Sequence, residues 1–139
     1  MDVLITGGAG FIGSNIARRL VSLGIRPRII DNLYTGKMEN LAEIIEKVEF
    51  IKGDIRDTNL LESVVKKKDI IFHQAAIPSV PRSVNDPVGT SEVNIMGTLV
   101  LLNVARNKHV QRFIYASSSS VYGNNPEQVK TESDRKSVV

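Results

Sequence analysis

The sequence predicts a doubly wound α/β fold, and two observations support this prediction. Five short apolar runs recur along the 139-residue chain, separated by segments in which apolar residues recur at helical spacing. Parallel strands require such crossover segments, which are almost always right-handed, so we expect one parallel sheet with helices on both faces. With 42% hydrophobic and 24% charged residues, the chain has the composition of a single globular domain, and we expect residues 1–139 to form one.

The predicted elements alternate in a regular order. Residues 2–6 form an apolar run that ends in glycines, which predicts a first strand and a tight turn. Residues 11–23 carry apolar side chains at helical spacing and predict the first helix. Further strands are predicted at 27–31, 48–51, 70–72 and 112–116, and further helices around 41–45, 60–65 and 88–107. The polar stretch 124–136 lacks periodicity and is predicted to be a loop.

The composition argues against several classes of function. The net charge of +3 is spread along the chain, and the single basic run at 66–68 is typical of a solvated helix end, so we expect no nucleic-acid partner. The sequence has no cysteine, and its two histidines lack ligand-like spacing, so no metal site is expected. We find no basic leader and no apolar stretch near the ~18 residues of a membrane span, which predicts a cytoplasmic protein without a membrane partner.

The most informative segment is the glycine-rich turn after the first predicted strand. Its glycines Gly7, Gly10 and Gly13 open the first helix, and Asp31 follows eighteen residues later at the end of the second strand. A phosphate approaches the backbone closely where no Cβ intrudes, and the helix start offers N–H groups to a pyrophosphate. A carboxylate at position 31 would accept hydrogen bonds from ribose hydroxyls and repel a 2′-phosphate. The pattern therefore predicts a dinucleotide site that favours NAD over NADP.

Five ordered motifs covering nearly the whole chain identify a family resemblance. The sequence resembles the extended short-chain dehydrogenase/reductases of the NAD-dependent epimerase/dehydratase family, which implies a Rossmann fold and NAD as cofactor. Beyond the glycine turn, the matching motifs are Asp-Asn-Leu at 31–33, Gly-Asp-Ile-Arg-Asp at 53–57, His-Gln-Ala-Ala at 73–76, Asn-Ile-Met-Gly-Thr at 94–98 and the serine-rich segment 117–123.

The resemblance implies a set of cofactor-binding residues. Asp54 would accept from the adenine amino group, although a strand-end aspartate also caps turns. The loop 34–36 lies where the family contacts the ribose and phosphates, and a plain turn is the alternative. His73 is interpreted as a packed residue and Asn94 as an architectural one. The cofactor-binding residues implied are Gly7, Gly10, Phe11, Ile12, Gly13, Asp31, Asn32, Thr35, Gly36, Asp54, Ile55, Gln74, Ala75, Ala76, Ile77 and Ser117.

The serine-rich segment points to the substrate chemistry. The resemblance places Ser118 at the family's catalytic serine, which bonds the sugar oxygen at C4, with Ser119 close by. Dehydratases of the family carry Thr-Asp-Glu at 118–120, whereas this chain has three serines. The stretch Ser-Val-Pro-Arg-Ser at 79–83 resembles the epimerases that act on UDP-glucose and UDP-N-acetylglucosamine, with Ser79 a candidate substrate contact. The resemblance thus implies a UDP-sugar 4-epimerase working through a 4-keto sugar.

The family's catalytic base, a tyrosine in Tyr-x-x-x-Lys, has no match. The residues four positions after Tyr34, Tyr115 and Tyr122 are Met, Ser and Pro, and the family's tyrosine would fall just beyond position 139. We therefore expect an N-terminal part of the fold, truncated after about five strands, inactive alone and prone to associate through an unpaired fifth strand. The alternatives are another nucleotide-sugar enzyme, such as a decarboxylase or dehydratase, and a non-catalytic NAD-binding module. Family members are commonly homodimers through helices that include 88–107.

Overall fold

The structure is a computed structural model that describes residues 2–123 and 129–133. Its strands form one parallel sheet in the order β3-β2-β1-β4-β5, which confirms the predicted doubly wound architecture. The chain moves outward from β1 to β3 and then returns to place β4 on the other side of β1. The strands are β1 (Val3–Thr6), β2 (Arg28–Asp31), β3 (Glu49–Lys52), β4 (Ile70–His73) and β5 (Arg112–Tyr115).

The first half of the chain follows the predicted pattern with one change of helix type. Helix α1 spans Phe11–Ser22 and α2 spans Thr58–Val64, but the segment Met38–Lys47 is a 3₁₀ helix. A 3₁₀ helix rises about 2.0 Å per residue and aligns side chains three apart. Leu41 and Ile44 have this spacing and are both buried, so the tighter helix suits the apolar pattern of this segment.

The helix predicted at 88–107 is interrupted in its middle. It comprises α4 (Pro87–Ser91), a π-helical segment (Glu92–Gly97) and α5 (Thr98–Asn107). Periodicity did not predict the π-helical segment, nor the short helix α3 (Val80–Asn85), nor the 3₁₀ turn Ser119–Tyr122. The loop predicted at 124–136 lies mostly outside the described residues.

The expectation that no apolar stretch approaches the length of a membrane span is wrong by the criteria of length and composition. The helix Pro87–Asn107 has 21 residues and a mean hydropathy of 1.3 over an 18-residue window, enough to cross a bilayer. Core helices of soluble proteins pass the same test. This helix differs from a core helix in its exposure, because only 22% of that window is buried.

Two apolar cores sandwich the sheet because side chains alternate between its faces. On one face, α1 and the 3₁₀ helix Met38–Lys47 cover a cluster around Ile5, Ala17 and Ile29. On the other face, α2 and α5 cover a cluster around Leu4, Ile71 and Leu101. The central strand β1 is completely buried and pairs with β4 in parallel register, so the carboxyl ends of the two strands lie side by side.

A buried ion pair lies at the opposite end of the sheet, where β2 and β4 begin. Arg28, at the start of β2, donates to Asp69, which directly precedes β4, with a nitrogen–oxygen distance of 2.5 Å. Arg28 also donates to the carbonyl of Val64 at the end of α2. Asp69 is fully buried, and its second carboxylate oxygen accepts from the Lys66 N–H. The pair ties β2 to β4 across the intervening strand β1.

Candidate functional site

A cleft of about 510 Å³ opens at the carboxyl ends of β1, β2 and β4. Crossover connections leave β1 and β4 in opposite directions, and such a switch point is where doubly wound sheets bind ligands. The volume is in the range of cofactor-sized pockets. Of the predicted cofactor residues, all except Gly36 and Ser117 line the cleft. Lining residues outside that set are Ile30, Tyr34, Gly53, Arg56, Pro78, Asp86, Gly89 and Val93.

The glycine turn between β1 and α1 packs too tightly to admit side chains. Gly7 has a φ of +69°, and a Cβ at that position would lie 2.6 Å from the backbone nitrogen of Ala75. A Cβ on Gly13 would lie 2.3 Å from the Gly7 carbonyl oxygen. Gly10 is less enclosed, since a Cβ there would have the same oxygen as its nearest contact, at 3.2 Å. The turn therefore presents bare backbone to the cleft.

The start of α1 faces the same space as this bare backbone. Gly10 precedes the helix without a side-chain cap, and the first turn contains no acidic residue. The N–H groups at a helix start lack intrahelical partners and carry the positive end of the helix dipole. An anionic group such as a pyrophosphate fits this position, where it would receive hydrogen bonds from the backbone.

Asp31 is held rigidly at the end of β2. Its side chain is 8% exposed, and its two carboxylate oxygens accept from the Ala9 N–H at 2.9 Å and the Leu33 N–H at 2.8 Å. Leu33 adopts a φ of 61°, a left-handed conformation that this hydrogen bond supports. Gly36 packs onto Asp31, since a Cβ there would lie 2.7 Å from a carboxylate oxygen. Each carboxylate oxygen keeps a lone pair for a ligand hydroxyl.

Asn40 anchors the glycine turn from the other side, and sequence reasoning missed it. The Ala9 carbonyl accepts from the Asn40 side chain at 2.8 Å and from the Lys37 N–H at 3.0 Å. Gly8, also missed as a special position, packs against Ile29, whose methyl carbon would lie 2.4 Å from a Cβ. Neither residue falls in a recognisable spacing, so only the three-dimensional contacts reveal these roles.

Asp54 also lines the cleft, and its carboxylate is paired with an arginine. The Arg56 guanidinium donates to both Asp54 carboxylate oxygens at 2.9 Å, and Asn32 donates to one of them at 2.9 Å. The side-chain hydrogen bond from Arg56 is the main reason that the pKa of Asp54 falls from 3.8 to about 2. Arg56 also reaches Glu92 at 3.3 Å, which links this corner to the π-helical segment.

The loop 74–78 after β4, which packs against Gly7 of the glycine turn, forms a further wall of the cleft. Asn94 in the π-helical segment donates to the Ile77 carbonyl at 3.2 Å and accepts from the Ile77 N–H at 2.8 Å. This confirms the architectural interpretation of Asn94. His73 is 1% exposed, as expected of a packed residue, and burial lowers its pKa to about 4.

The predicted substrate residues lie outside the cleft lining. Ser79 is the N-cap residue of α3, and its hydroxyl accepts from the Arg82 N–H at 3.3 Å. Ser117 and Ser118 are exposed and follow β5, whose parallel pairing with β4 brings the chain out at the same edge as the cleft. The side chain of Ser119 is outside the described part of the structure.

Arg82 stacks on Tyr34, with its guanidinium carbon 5.6 Å from the ring centre, and the pair joins α3 to the loop after β2.

Comparison with known proteins gives a consistent result. Residues 3–138 match the family described as the NAD dependent epimerase/dehydratase family. A UDP-glucose 4-epimerase of Yersinia pestis is 40% identical over 96% of this chain and 41% of its own length. A dTDP-glucose 4,6-dehydratase of Streptomyces niveus is 40% identical over 91% of this chain and 40% of its own length. A UDP-N-acetyl-alpha-D-glucosaminuronate decarboxylase of Bacillus cytotoxicus is 38% identical over 95% of this chain and 41% of its own length. The chain spans about two fifths of the length of these relatives.

Solved structures agree with this similarity. The UDP-N-acetylglucosamine 4-epimerase of Methanobrevibacter ruminantium, in complex with UDP-N-acetylmuramic acid, superimposes with a TM-score of 0.86 at 43% identity. It matches 97% of this chain and 43% of its own. The UDP-glucose 4-epimerase of Thermus thermophilus, in complex with NAD, has a TM-score of 0.84 at 41% identity. The match covers 96% of this chain and 43% of that one.

The tight packing of the glycine turn leads to a first prediction. Gly7→Ala and Gly24→Ala both place a Cβ on a left-handed residue, but nothing lies within 4 Å of position 24. We expect Gly24→Ala to lower the free energy of unfolding by ~1–2 kcal/mol through backbone strain. Gly7→Ala should cost a further ~1–3 kcal/mol because its Cβ overlaps the backbone of Ala75. Chemical denaturation measures both, and equal losses would contradict the packing described.

The Asp54–Arg56 contact leads to a second prediction. Because the folded pKa lies below 3.8, ionised Asp54 stabilises the fold above about pH 4, and this stabilisation disappears as the pH falls through about 2. The difference in unfolding free energy between the unmodified chain and Asp54→Asn should be constant above pH 4 and shrink towards pH 2. Asn32→Ala removes a weaker hydrogen-bond partner of Asp54. It should therefore lower the free energy of unfolding by less than Asp54→Asn does, over the same pH range. A difference independent of pH would rule out the assigned contact.

Proposed function

The chain belongs to the NAD-dependent epimerase/dehydratase family, and we propose that it forms the NAD-binding portion of a nucleotide-sugar 4-epimerase. The observation that carries the proposal is the meeting of an uncapped helix start, a side-chain-free glycine turn and the buried carboxylate of Asp31 around one cleft. These features supply a pyrophosphate site and a ribose site side by side. NAD is the cofactor of this family, and it is bound in solved neighbours.

The residues present fit NAD at each part of the cleft. The backbone from Gly10 to Gly13 would hold the pyrophosphate, since the uncapped helix start offers N–H groups there and the turn carries no side chain at Gly10 or Gly13. Asp31 would accept from the adenosine ribose, and Asp54 with Asn32 would border the adenine. Ala75 and Ala76, small residues after β4, would leave room for the rest of the cofactor. NAD, when bound, supplies reversible oxidation at the sugar C4 position.

Electrostatics at the ribose end support NAD over NADP. Asp31 presents its charge to the ribose position, and a 2′-phosphate there would meet a carboxylate. Among the described lining residues, Arg56 is the one cation, and both Asp54 and Glu92 already engage its guanidinium. None of the described lining residues therefore supplies an uncommitted cation to offset the repulsion of a 2′-phosphate.

The substrate side is assigned from sequence position. We propose Ser118 as the catalytic serine that bonds the sugar C4 oxygen, with Ser79 and Ser119 contacting a UDP-sugar. The proposal favours UDP-glucose/UDP-galactose or UDP-N-acetylglucosamine/UDP-N-acetylgalactosamine interconversion. Dehydratases and decarboxylases among the relatives are the alternative. Three serines at 118–120 favour the epimerase, because dehydration needs an acid and a carboxylate beside the reacting carbon, and the segment has neither.

We further propose that these 139 residues bind NAD without turning over substrate, since they contain no Tyr-x-x-x-Lys. A cytoplasmic location is proposed, with which the absence of cysteine is compatible. Sequencing the gene beyond codon 139 separates the enzyme from a non-catalytic NAD-binding module. A continuing frame that encodes a Tyr-x-x-x-Lys segment supports the enzyme, and a stop codon supports the module.

An apolar face on the helix Pro87–Asn107 supports a homodimer. Ile95, Met96, Leu99 and Leu102 are between 42% and 63% exposed and lie on the side of the helix turned away from the sheet. A continuous exposed apolar face of this kind is typical of an interaction surface. We propose that a second copy of the chain covers this face, and a membrane is the competing occupant.

The NAD assignment gives a third prediction. Calorimetric titration should show NAD binding to the chain, with NADP bound more weakly. Asp31→Asn should weaken NAD binding by roughly ten- to hundredfold and reduce the preference over NADP, because a charge-assisted acceptor is lost. Asp86→Asn is the matched control, since Asp86 also lines the cleft but caps α4, a role that asparagine retains. Failure of the unmodified chain to bind NAD would overturn the proposal.

The exposed helix face gives a fourth prediction. Sedimentation at micromolar concentration should show dimers of the unmodified chain and monomers of a Leu99→Glu/Leu102→Glu variant. Leu23→Glu, at an exposed leucine on the end of α1, should leave the dimer intact. A monomeric unmodified chain that binds lipid vesicles would instead identify the face as a membrane contact.

A further inference from the structure

A chain of hydrogen bonds begins and ends in the loop 74–77, which lines the cleft. The Ala75 N–H donates to the Thr6 hydroxyl at 3.3 Å, and that hydroxyl lies 2.6 Å from Nδ1 of His73. On the other side of the ring, Nε2 lies 2.9 Å from the Thr98 hydroxyl. Thr98 in turn donates to the Asn94 carbonyl at 2.8 Å, and the Asn94 side chain donates to the Ile77 carbonyl at 3.2 Å.

The proton positions along this chain follow from the chemistry of its ends. A carbonyl oxygen only accepts, so the single Thr98 hydroxyl proton points to Asn94. Thr98 must then accept from His73, which requires a proton on Nε2. At the other end, the Ala75 N–H can only donate, so the Thr6 hydroxyl accepts from Ala75. A neutral ring with its proton on Nε2 is an acceptor at Nδ1, and the Thr6 hydroxyl therefore donates its own proton to Nδ1 of His73.

The alternative proton arrangements leave buried groups in conflict. A proton on Nδ1 would turn the Thr98 hydroxyl towards His73 and leave two acceptor oxygens facing each other at 2.8 Å. A doubly protonated ring would point a second donor at Thr6 and leave the Thr6 proton without its acceptor. Because Thr6 and His73 are buried, unmade hydrogen bonds here are costly.

We infer that His73 is a positioning residue, held as its neutral Nε2–H tautomer, that closes a one-directional hydrogen-bond circuit and thereby fixes the loop 74–77 for NAD. The groups packed around the ring are uncharged in the described structure: Thr6 of β1, Thr98 of α5, and Phe113 and Tyr115 of β5, whose rings are each 5.7 Å away. Burial lowers the pKa of His73 to about 4, which is consistent with a neutral ring at pH 7. The role in NAD binding rests on the proposed function, whereas the tautomer does not.

The tautomer is measured directly in the ligand-free chain. Growth on ¹⁵N-labelled histidine and long-range proton–nitrogen correlation identify the protonated ring nitrogen of both histidines. We expect His73 to carry its proton on Nε2 alone at pH 7. His109, the other histidine, is exposed and serves as the internal reference. A proton on Nδ1 of His73, or a mixture of tautomers, would overturn the inference.

The effect on NAD binding is measured with a matched pair of variants. Thr98→Val keeps the shape of the side chain and breaks the circuit, so the NAD dissociation constant should rise roughly fivefold and His73 should lose its single tautomer. Thr98→Ser restores the hydroxyl and should restore both properties. Equal NAD affinities for the two variants would show that the circuit is merely structural.

The two measurements separate this inference from the proposed function. If Thr98→Val does not fold, the tautomer of the unmodified chain still decides the proton arrangement. If the unmodified chain does not bind NAD, the proposed function fails, and the tautomer again tests the circuit by itself.

Discussion

The site depends on one close contact, between the turn after β1 and the backbone after β4. Gly7 approaches so near to Ala75 that a single added carbon would lie 2.6 Å from its nitrogen. This contact is possible because β1 and β4 are parallel neighbours whose chains depart in opposite directions. It brings the start of α1 and the loop 74–77 to opposite sides of one cleft, with Asp31 of β2 alongside.

The rest of the cleft is built by tying loops to this contact. Asp31 and Asn40 hold Ala9 from two directions, so the glycine turn is fixed to the chain after β2. Asn94 fixes the opposite loop at Ile77, and Arg56 joins Asp54 to Glu92 of the π-helical segment. Each of these bonds uses a side chain to satisfy a backbone group or a charge near the cleft, and together they fix the loops around it.

The sequence predicts the architecture well because the relevant signals are local. Apolar periodicity located the five strands to within one residue of their bounds, and the glycine spacing located the turn. It could not predict the 3₁₀ helix Met38–Lys47 or the π-helical segment, since both share the apolar spacing of an α-helix to within one residue per turn. The roles of Asn40, Arg28 and Asp69 depend on contacts between residues far apart in the chain, and no spacing signals them.

The central claim is that the carboxyl edge of the sheet, and no other surface, binds NAD. Backbone amide chemical shifts recorded during an NAD titration test this residue by residue. We predict the largest changes at positions 7–13, 31–32, 54–55 and 74–77. Changes centred on another surface, such as the groove between α1 and Phe72, or no changes at all, would contradict the account.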